Sequence, residues 1–305
     1  MNRREAEMDI ESLSLDNNSP KDLPIIGRWL LLEELGAGAT SKVFLANDRF
    51  SSQQVAIKIF TAASELSQQL ALIESNLLKD VYHSNIVSLV EHYDSIVLQD
   101  PFIKKKIDVS AIAMEYVPCG NLADLLKRTK YLSEEQSRVV FKQLIDAIGY
   151  LHGKSISHGD LKPDNILLAD KQNIKLADFA FSSKFKPNEL FKLSLGTPKY
   201  WSPEIINGKP YSPEAADLFA AGIILFEMAT GHMPFILAHK DDDFYGLLCR
   251  KDFDLFWDCH TKTMGATSFG LQFSKHFKDI IQRMLSSDPK NRMSLNDIKN
   301  HPWIR

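Results

Sequence analysis

The spacing of apolar residues changes character once along the chain. Between Arg28 and Pro118 the apolar positions fall in short runs separated by turn residues. Leu30–Leu35, Lys42–Ala46 and Val55–Phe60 have the composition of β-strands. One helical stretch interrupts them, with Leu66, Leu70, Ile73 and Leu77 at i, i+4, i+7 and i+11. Beyond Gly120 the period is mostly helical. Ser133-Glu134-Glu135-Gln136 is a capping box, because the Ser133 hydroxyl accepts the amide of Gln136 while the Gln136 side chain reaches back. It opens a helix with Val140, Leu144, Ala147 and Leu151 on one face. Ser212-Pro213 opens another, with proline at the first helical position. A β-rich part therefore precedes a larger helical one. Lys104-Lys105-Lys106, between two strand-like runs, is expected to be a solvated loop.

Composition narrows the class. The 305 residues are 44% hydrophobic and 25% charged, proportions of a globular chain with a sizeable core. The net charge is −3, and residues 1–24 carry all of it, with three basic residues against six acids. That balance argues against a nucleic-acid partner held by bulk positive charge. The richest apolar run, Ala220–Phe226, falls well short of the roughly 18 residues that cross a membrane, so no membrane partner is expected. The first twenty residues lack the apolar stretch of a secretory signal. Cys119, Cys249 and Cys259 match no metal spacing and, being odd in number, suggest a reducing compartment. A cytoplasmic location is expected, with the nucleus as the alternative. Residues 1–24 end in the breaker cluster Asp16-Asn17-Asn18-Ser19-Pro20 and are expected to be a disordered acidic tail. Ile10, Leu13 and Leu15 leave a docking or self-regulating role open.

Three segments carry candidate chemistry. Leu35-Gly36-Ala37-Gly38-Ala39-Thr40-Ser41-Lys42-Val43 places two glycines between strands, where backbone amides can approach a phosphate; a plain hairpin turn reads the same way. Val55-Ala56-Ile57-Lys58 ends an apolar strand on a lysine, either snorkelling or set in a cleft, and Glu74 on the following helix is its candidate partner. The strongest is Ser157-His158-Gly159-Asp160-Leu161-Lys162-Pro163-Asp164-Asn165, followed by Asp178 between apolar residues. An Asp, a Lys two on, an Asn five on and a further Asp suit phosphoryl transfer. That chemistry needs charge neutralisation and positioning of a hydroxyl more than covalent help.

These motifs resemble those of the eukaryotic protein kinases, serine/threonine branch. The resemblance covers roughly residues 28–304 and includes His83-Ser84-Asn85-Ile86-Val87, Met114-Glu115-Tyr116-Val117, Gly196-Thr197-Pro198-Lys199-Tyr200-Trp201-Ser202-Pro203-Glu204, Asp217 and Arg292. It implies an α+β, bilobal fold over 25–305: a small antiparallel sheet lobe with one helix (about 25–117) and a larger, mainly helical lobe (about 118–305). It also implies ATP as co-substrate, Mg²⁺, and a protein substrate with a Ser or Thr acceptor. Asp160 would be the catalytic base, with Lys162 on the γ-phosphate and Thr197 as its partner. Gly36 and Gly38 would cover the phosphates, and Lys58 would bind them while paired to Glu74. Val43, Ala56 and Leu167 would sandwich the adenine. Main-chain groups of Glu115 and Val117 would meet its edge, on a linker between lobes, with Met114 behind. Asn165 and Asp178 would hold the metal. Glu204 and Arg292 would form a buried ion pair.

Three positions depart from the family pattern. Ser41 stands at the third loop glycine and Ala180 at the glycine after Asp-Phe. Gly159 stands where the family has the arginine that receives an activation-segment phosphate. None removes a group that handles ATP, metal or hydroxyl. The expectation is a kinase independent of phosphorylation in the segment from Asp178 to Glu204, which offers Ser182, Ser183 and Ser194. A pseudokinase acting as a binding scaffold is the alternative, and a small-molecule phosphotransferase is opposed by Lys162 and the Gly-Thr-Pro segment. The chain ends soon after the motifs, so a regulator is expected to act in trans or through the tail.

Overall fold

The computed structural model describes residues 23–38, 40–60, 65–100, 105–193, 195–263 and 272–305. The chain forms two compact units, one running through His83 and then Val87–Pro118, the other comprising Ser84–Ile86 and Cys119–Arg305.

The first unit holds strands β1 (Ile25–Ile26), β2 (Trp29–Ala37), β3 (Ser41–Asp48), β4 (Gln54–Phe60), β5 (Leu89–Asp100) and β6 (Lys105–Glu115), and helix α1 (Glu65–Leu78). The strands are antiparallel in the order β1-β2-β3-β4-β6-β5. The sheet closes on itself, because the two-residue β1 pairs with both β2 and β5. Inside lie Trp29, Leu31, Phe44, Val55, Ile57, Ile59, Leu98 and Val109, alternating along their strands as half-buried strands require. Each such side chain contributes about 1.5–3 kcal/mol by leaving water.

Several expectations are corrected here. The buried face of α1 is Ser67, Leu70, Ala71, Glu74, Leu77 and Leu78, while Ile73 is exposed. Leucines lie on both sides of this helix, and the sheet takes the side that carries Glu74. Lys105 and Lys106 belong to β6, paired with Asp100 and Gln99, rather than to a loop. Met114 and Glu115 also belong to β6, opposite Ala56 and Val55, so the strand continues into the segment read as a linker. Residues 1–22 of the acidic tail lie outside the described residues. Pro24 is buried, and its carbonyl accepts the Leu31 amide at 2.9 Å.

The second unit contains α2 (Leu122–Thr129), α3 (Glu134–Gly153), β7 (Ile156–Ser157), β8 (Ile166–Leu168), β9 (Ile174–Leu176), β10 (Ser183–Lys184), α4 (Pro203–Ile206), α5 (Pro213–Thr230), α6 (Asp243–Arg250), α7 (Phe253–Thr263), α8 (Lys275–Met284) and α9 (Leu295–Lys299). The capping box on α3 is formed in both directions, and Ser212 caps α5 by accepting the Ala215 amide. Helix α5 is apolar nearly all round and runs through the core of this unit, as such a composition requires. It ends at Gly231, whose φ of 78° completes a left-handed cap.

Candidate active site

The loop between β7 and β8 is held from below by α5. Asp217 on that helix is buried and accepts three hydrogen bonds: from the amides of His158 (2.9 Å) and Gly159 (3.0 Å), and on the other side it meets His152 Nε2 at 2.9 Å. His158 is itself buried. Its Nε2 lies 3.0 Å from the Ala177 carbonyl, and its ring packs edge-on against Phe179. A single carboxylate in an apolar helix therefore fixes the backbone that leads into Asp160.

Asp160 is buried and clamped at both oxygens. Oδ1 accepts the Thr197 amide and the Thr197 hydroxyl, each at 2.8 Å. Oδ2 accepts Lys162 Nζ at 2.6 Å, and the same ammonium is 3.1 Å from Thr197 Oγ1. Asn165 Nδ2 donates to the Asp160 carbonyl at 2.8 Å, which directs the amide oxygen of Asn165 the opposite way. Asp178 follows Ala177, whose amide donates to the Asn165 carbonyl, and it has a left-handed φ of 65°, an uncommon conformation that clusters at functional sites. Thus Asp160, Lys162 and Asn165 come together as their spacing implied, and Thr197 joins them as the resemblance implied.

Gly159 is more than a missing receptor. Its φ is 79°, and a β-carbon there would lie 2.5 Å from the Phe181 carbonyl oxygen. Gly196, at φ 99°, is nearly as close: a β-carbon would meet the Gly159 carbonyl at 2.8 Å and Asp160 Oδ1 at 2.9 Å. Two glycines therefore let the segment after Asp178 press against the Asp160 loop. Ser182 ties the contact by donating to the His158 carbonyl at 2.9 Å, and β10 pairs with β7. Ser182 is buried in this arrangement. Ser194 lies outside the described residues.

In the first unit, Lys58 Nζ meets Glu74 Oε2 at 2.7 Å, with the glutamate fully buried. Gly36 and Gly38 lie at the end of β2 and just beyond it. A β-carbon at Gly36 would meet nothing, and at Gly38 only the Ser41 carbonyl at 3.8 Å. Val43 and Ala56 are half-buried, as Leu167 is in the second unit, while Met114 and Val117 are buried. The Glu115 amide donates to the Ser88 carbonyl at 2.9 Å, which narrows the adenine contact expected of its main chain to the carbonyl.

Elsewhere in the second unit, Arg292 makes a bidentate pair with Glu204 at 2.9 and 2.8 Å and lies over the Phe219 ring. Tyr200 donates to Glu227 Oε2 at 3.0 Å. Burial raises the Glu227 carboxyl above its ordinary range, opposed by the Tyr200 bond and reinforced by Asp164. Neither the three-way role of Asp217 nor the Tyr200–Glu227 bond follows from spacing. The one signal for Asp217 was its place among the motifs that carry the family resemblance.

The protein kinase domain family matches residues 29–304. The chain belongs to the protein kinase family. The kinase domain is 33% identical over 291 residues to CBL-interacting serine/threonine-protein kinase 24 of Arabidopsis thaliana, covering 93% of this chain and 59% of that protein. It is 33% identical over 288 residues to the human SNF-related serine/threonine-protein kinase, covering 93% and 34%. To the SNF1-like protein kinase ssp2 of Schizosaccharomyces pombe it is 33% identical over 305 residues, covering 98% and 49%. The chain thus spans between about a third and three fifths of the length of these relatives.

Proposed function

We propose that this kinase domain transfers the γ-phosphate of ATP to serine or threonine hydroxyls of proteins, and that it needs no phosphate on its own segment to do so. The observation that carries the reading is the clamp on Asp160, with Thr197 on one oxygen and Lys162 on the other. A carboxylate held at that accuracy aims an acceptor hydroxyl and takes up its proton as transfer proceeds. Lys162, within reach of both Asp160 and Thr197, is the cation for the migrating group. Lys58, kept extended by Glu74, is the candidate for the α- and β-phosphates. The open space over Gly36 and Gly38 leaves their backbone approachable by phosphate oxygens.

Asn165 and Asp178 offer an amide oxygen and a carboxylate, the hard donors that suit Mg²⁺, and the Asn165 amide is already oriented by its bond to the Asp160 carbonyl. A metal held there would neutralise phosphate charge. Independence from segment phosphorylation rests on Gly159. The phosphate receptor is absent, and the Phe181 carbonyl occupies the space its side chain would need. Uncharged contacts replace the ion pair that a phosphate would make.

The test uses protein treated with phosphatase and shown by mass spectrometry to be bare at Ser182, Ser183 and Ser194. With Mg-ATP and a generic protein substrate, activity stays within a few-fold of untreated enzyme. Asp160→Asn loses transfer and keeps nucleotide binding. A hundredfold loss on dephosphorylation, restored by rephosphorylation, refutes independence. Absence of transfer in every form refutes the enzyme and leaves a kinase-shaped scaffold.

A further inference from the structure

His260, on α7, is 2% exposed and boxed by rings. Phe226 of α5 lies 4.9 Å from it between centroids, Phe244 of α6 4.8 Å and Phe256 of α7 4.4 Å. The fourth wall is a second imidazole, His232, stacked at 5.1 Å and 19°. His232 Nδ1 sits 3.1 Å from the Met233 carbonyl, and His260 is hydrogen-bonded to the neighbouring carbonyl of Pro234. Each ring thus gives a proton to the backbone of the same turn. The Nε2 atoms of both are buried and have no partner among the described residues. Two imidazoles therefore stand face to face, each keeping a buried nitrogen that no donor among the described residues satisfies.

We propose that this histidine pair is an acid-operated latch on the α6–α7 corner of the helical unit: closed while His260 is neutral, opened when it takes up a proton. A proton on Nε2 would place a full charge among aromatic rings and beside a second imidazole. Among the described residues, the titratable or charged groups acting on His260 are His232 and Asp242. Asp242 is already committed. Its carboxylate accepts the amides of Ile236, Leu237, Phe244 and Tyr245 and so holds the turn and the start of α6 together. Turning it toward His260 would break that cap. The charged ring is accommodated by moving out, and α6 and α7 move with it because Phe244 and Phe256 are its walls.

The sign follows from linkage. In water the ring takes its proton near pH 6.5. In the closed corner burial, with His232 adding to it, lowers this to about 4. Protons therefore bind the open form first, and the corner loses stability as pH falls from 6.5 toward 4. At pH 5 the opening equilibrium is favoured by about 20-fold over pH 7.

Hydrogen exchange on the full chain at pH 7 and pH 5, corrected for intrinsic rates, tests this. Peptides from α6 and α7 lose about 20-fold of protection in the wild type, while β3 and β4 keep theirs. His260→Phe, which cannot be protonated, keeps the corner equally protected at both values. Protection in the wild type that is unchanged by pH, or a loss that persists in His260→Phe, overturns the latch. Should His260→Phe not fold, the imidazole resonance of His260 in the wild type decides: titration below pH 5 supports the latch, and titration near 6.5 overturns it.

Discussion

Replacing Gly159 by alanine tests the close approach of the two loops, and the structure supplies its own control. Gly208 has φ 64° and open space where a β-carbon would go, whereas Gly159 has φ 79° and the Phe181 carbonyl at 2.5 Å. Both substitutions carry the left-handed backbone penalty, about 1–2 kcal/mol for a residue with a β-carbon. Gly159→Ala adds a clash with a main-chain oxygen that cannot rotate away. The relief available is a shift of Phe181 or of the loop that leads into Asp160. Gly208→Ala should therefore lower the melting temperature by roughly 2–8 °C, at 2–4 °C for each kcal/mol in a domain of this size, with kcat unchanged. Gly159→Ala should cost more stability and also lower kcat by about a hundredfold, because displacement near 1 Å at a positioning group has that effect. Gly159→Arg, the side chain usual in the family, should do no better without a segment phosphate. Thermal melts and steady-state phosphate transfer on the three proteins decide the matter. If Gly159→Ala keeps wild-type kcat, or falls no further than Gly208→Ala, the close approach of Phe181 does not govern the position of Asp160.

Two further substitutions probe buried charge. Glu204→Gln leaves the guanidinium of Arg292, 1% exposed at its side chain, without a counter-charge. Breaking one side of such a pair costs about 3–5 kcal/mol, and chemical denaturation should show a lower midpoint with an unchanged slope. Lys58→Met strands the buried Glu74, so both stability and phosphate transfer should fall. Adding Glu74→Gln should recover most of the stability in a melt and none of the transfer, which separates the ion pair's structural contribution from the phosphate-binding role proposed for Lys58.

What could be read from the sequence depended on whether a physical rule acts over a few residues. The start of α3 was legible because Ser133 and Gln136 close the capping box between themselves. The clamp on Asp160 was legible in part because Lys162 and Asn165 follow it on one tight loop. Closure of the barrel was not, since β1 has two residues, too few for alternation to register. On α1, Ile73 alone among the described residues is misplaced: it obeys helical spacing with Leu70 and Leu77, which are buried, and only the sheet decides that it stays uncovered. Gly159 was read as the loss of an arginine. Its positive φ and the carbonyl above it depend on a segment some twenty residues away, which no local pattern encodes.

The glycines at 159 and 196 also explain how a segment can be held near Asp160 without charge. An ion pair between a phosphate and arginine acts through several ångströms, weakens with salt and tolerates a loose fit. Here the contacts are short and mostly uncharged: a serine hydroxyl on the His158 carbonyl, a two-residue strand pairing, and the Thr197 amide and hydroxyl on Asp160. Such bonds act only where backbones nearly touch, and a β-carbon at either glycine would keep them apart. The glycine that offers no phosphate receptor is thus the same residue that permits the close backbone approach. A chain that lost the receptor without the smallest residue in its place would have neither means of ordering the segment.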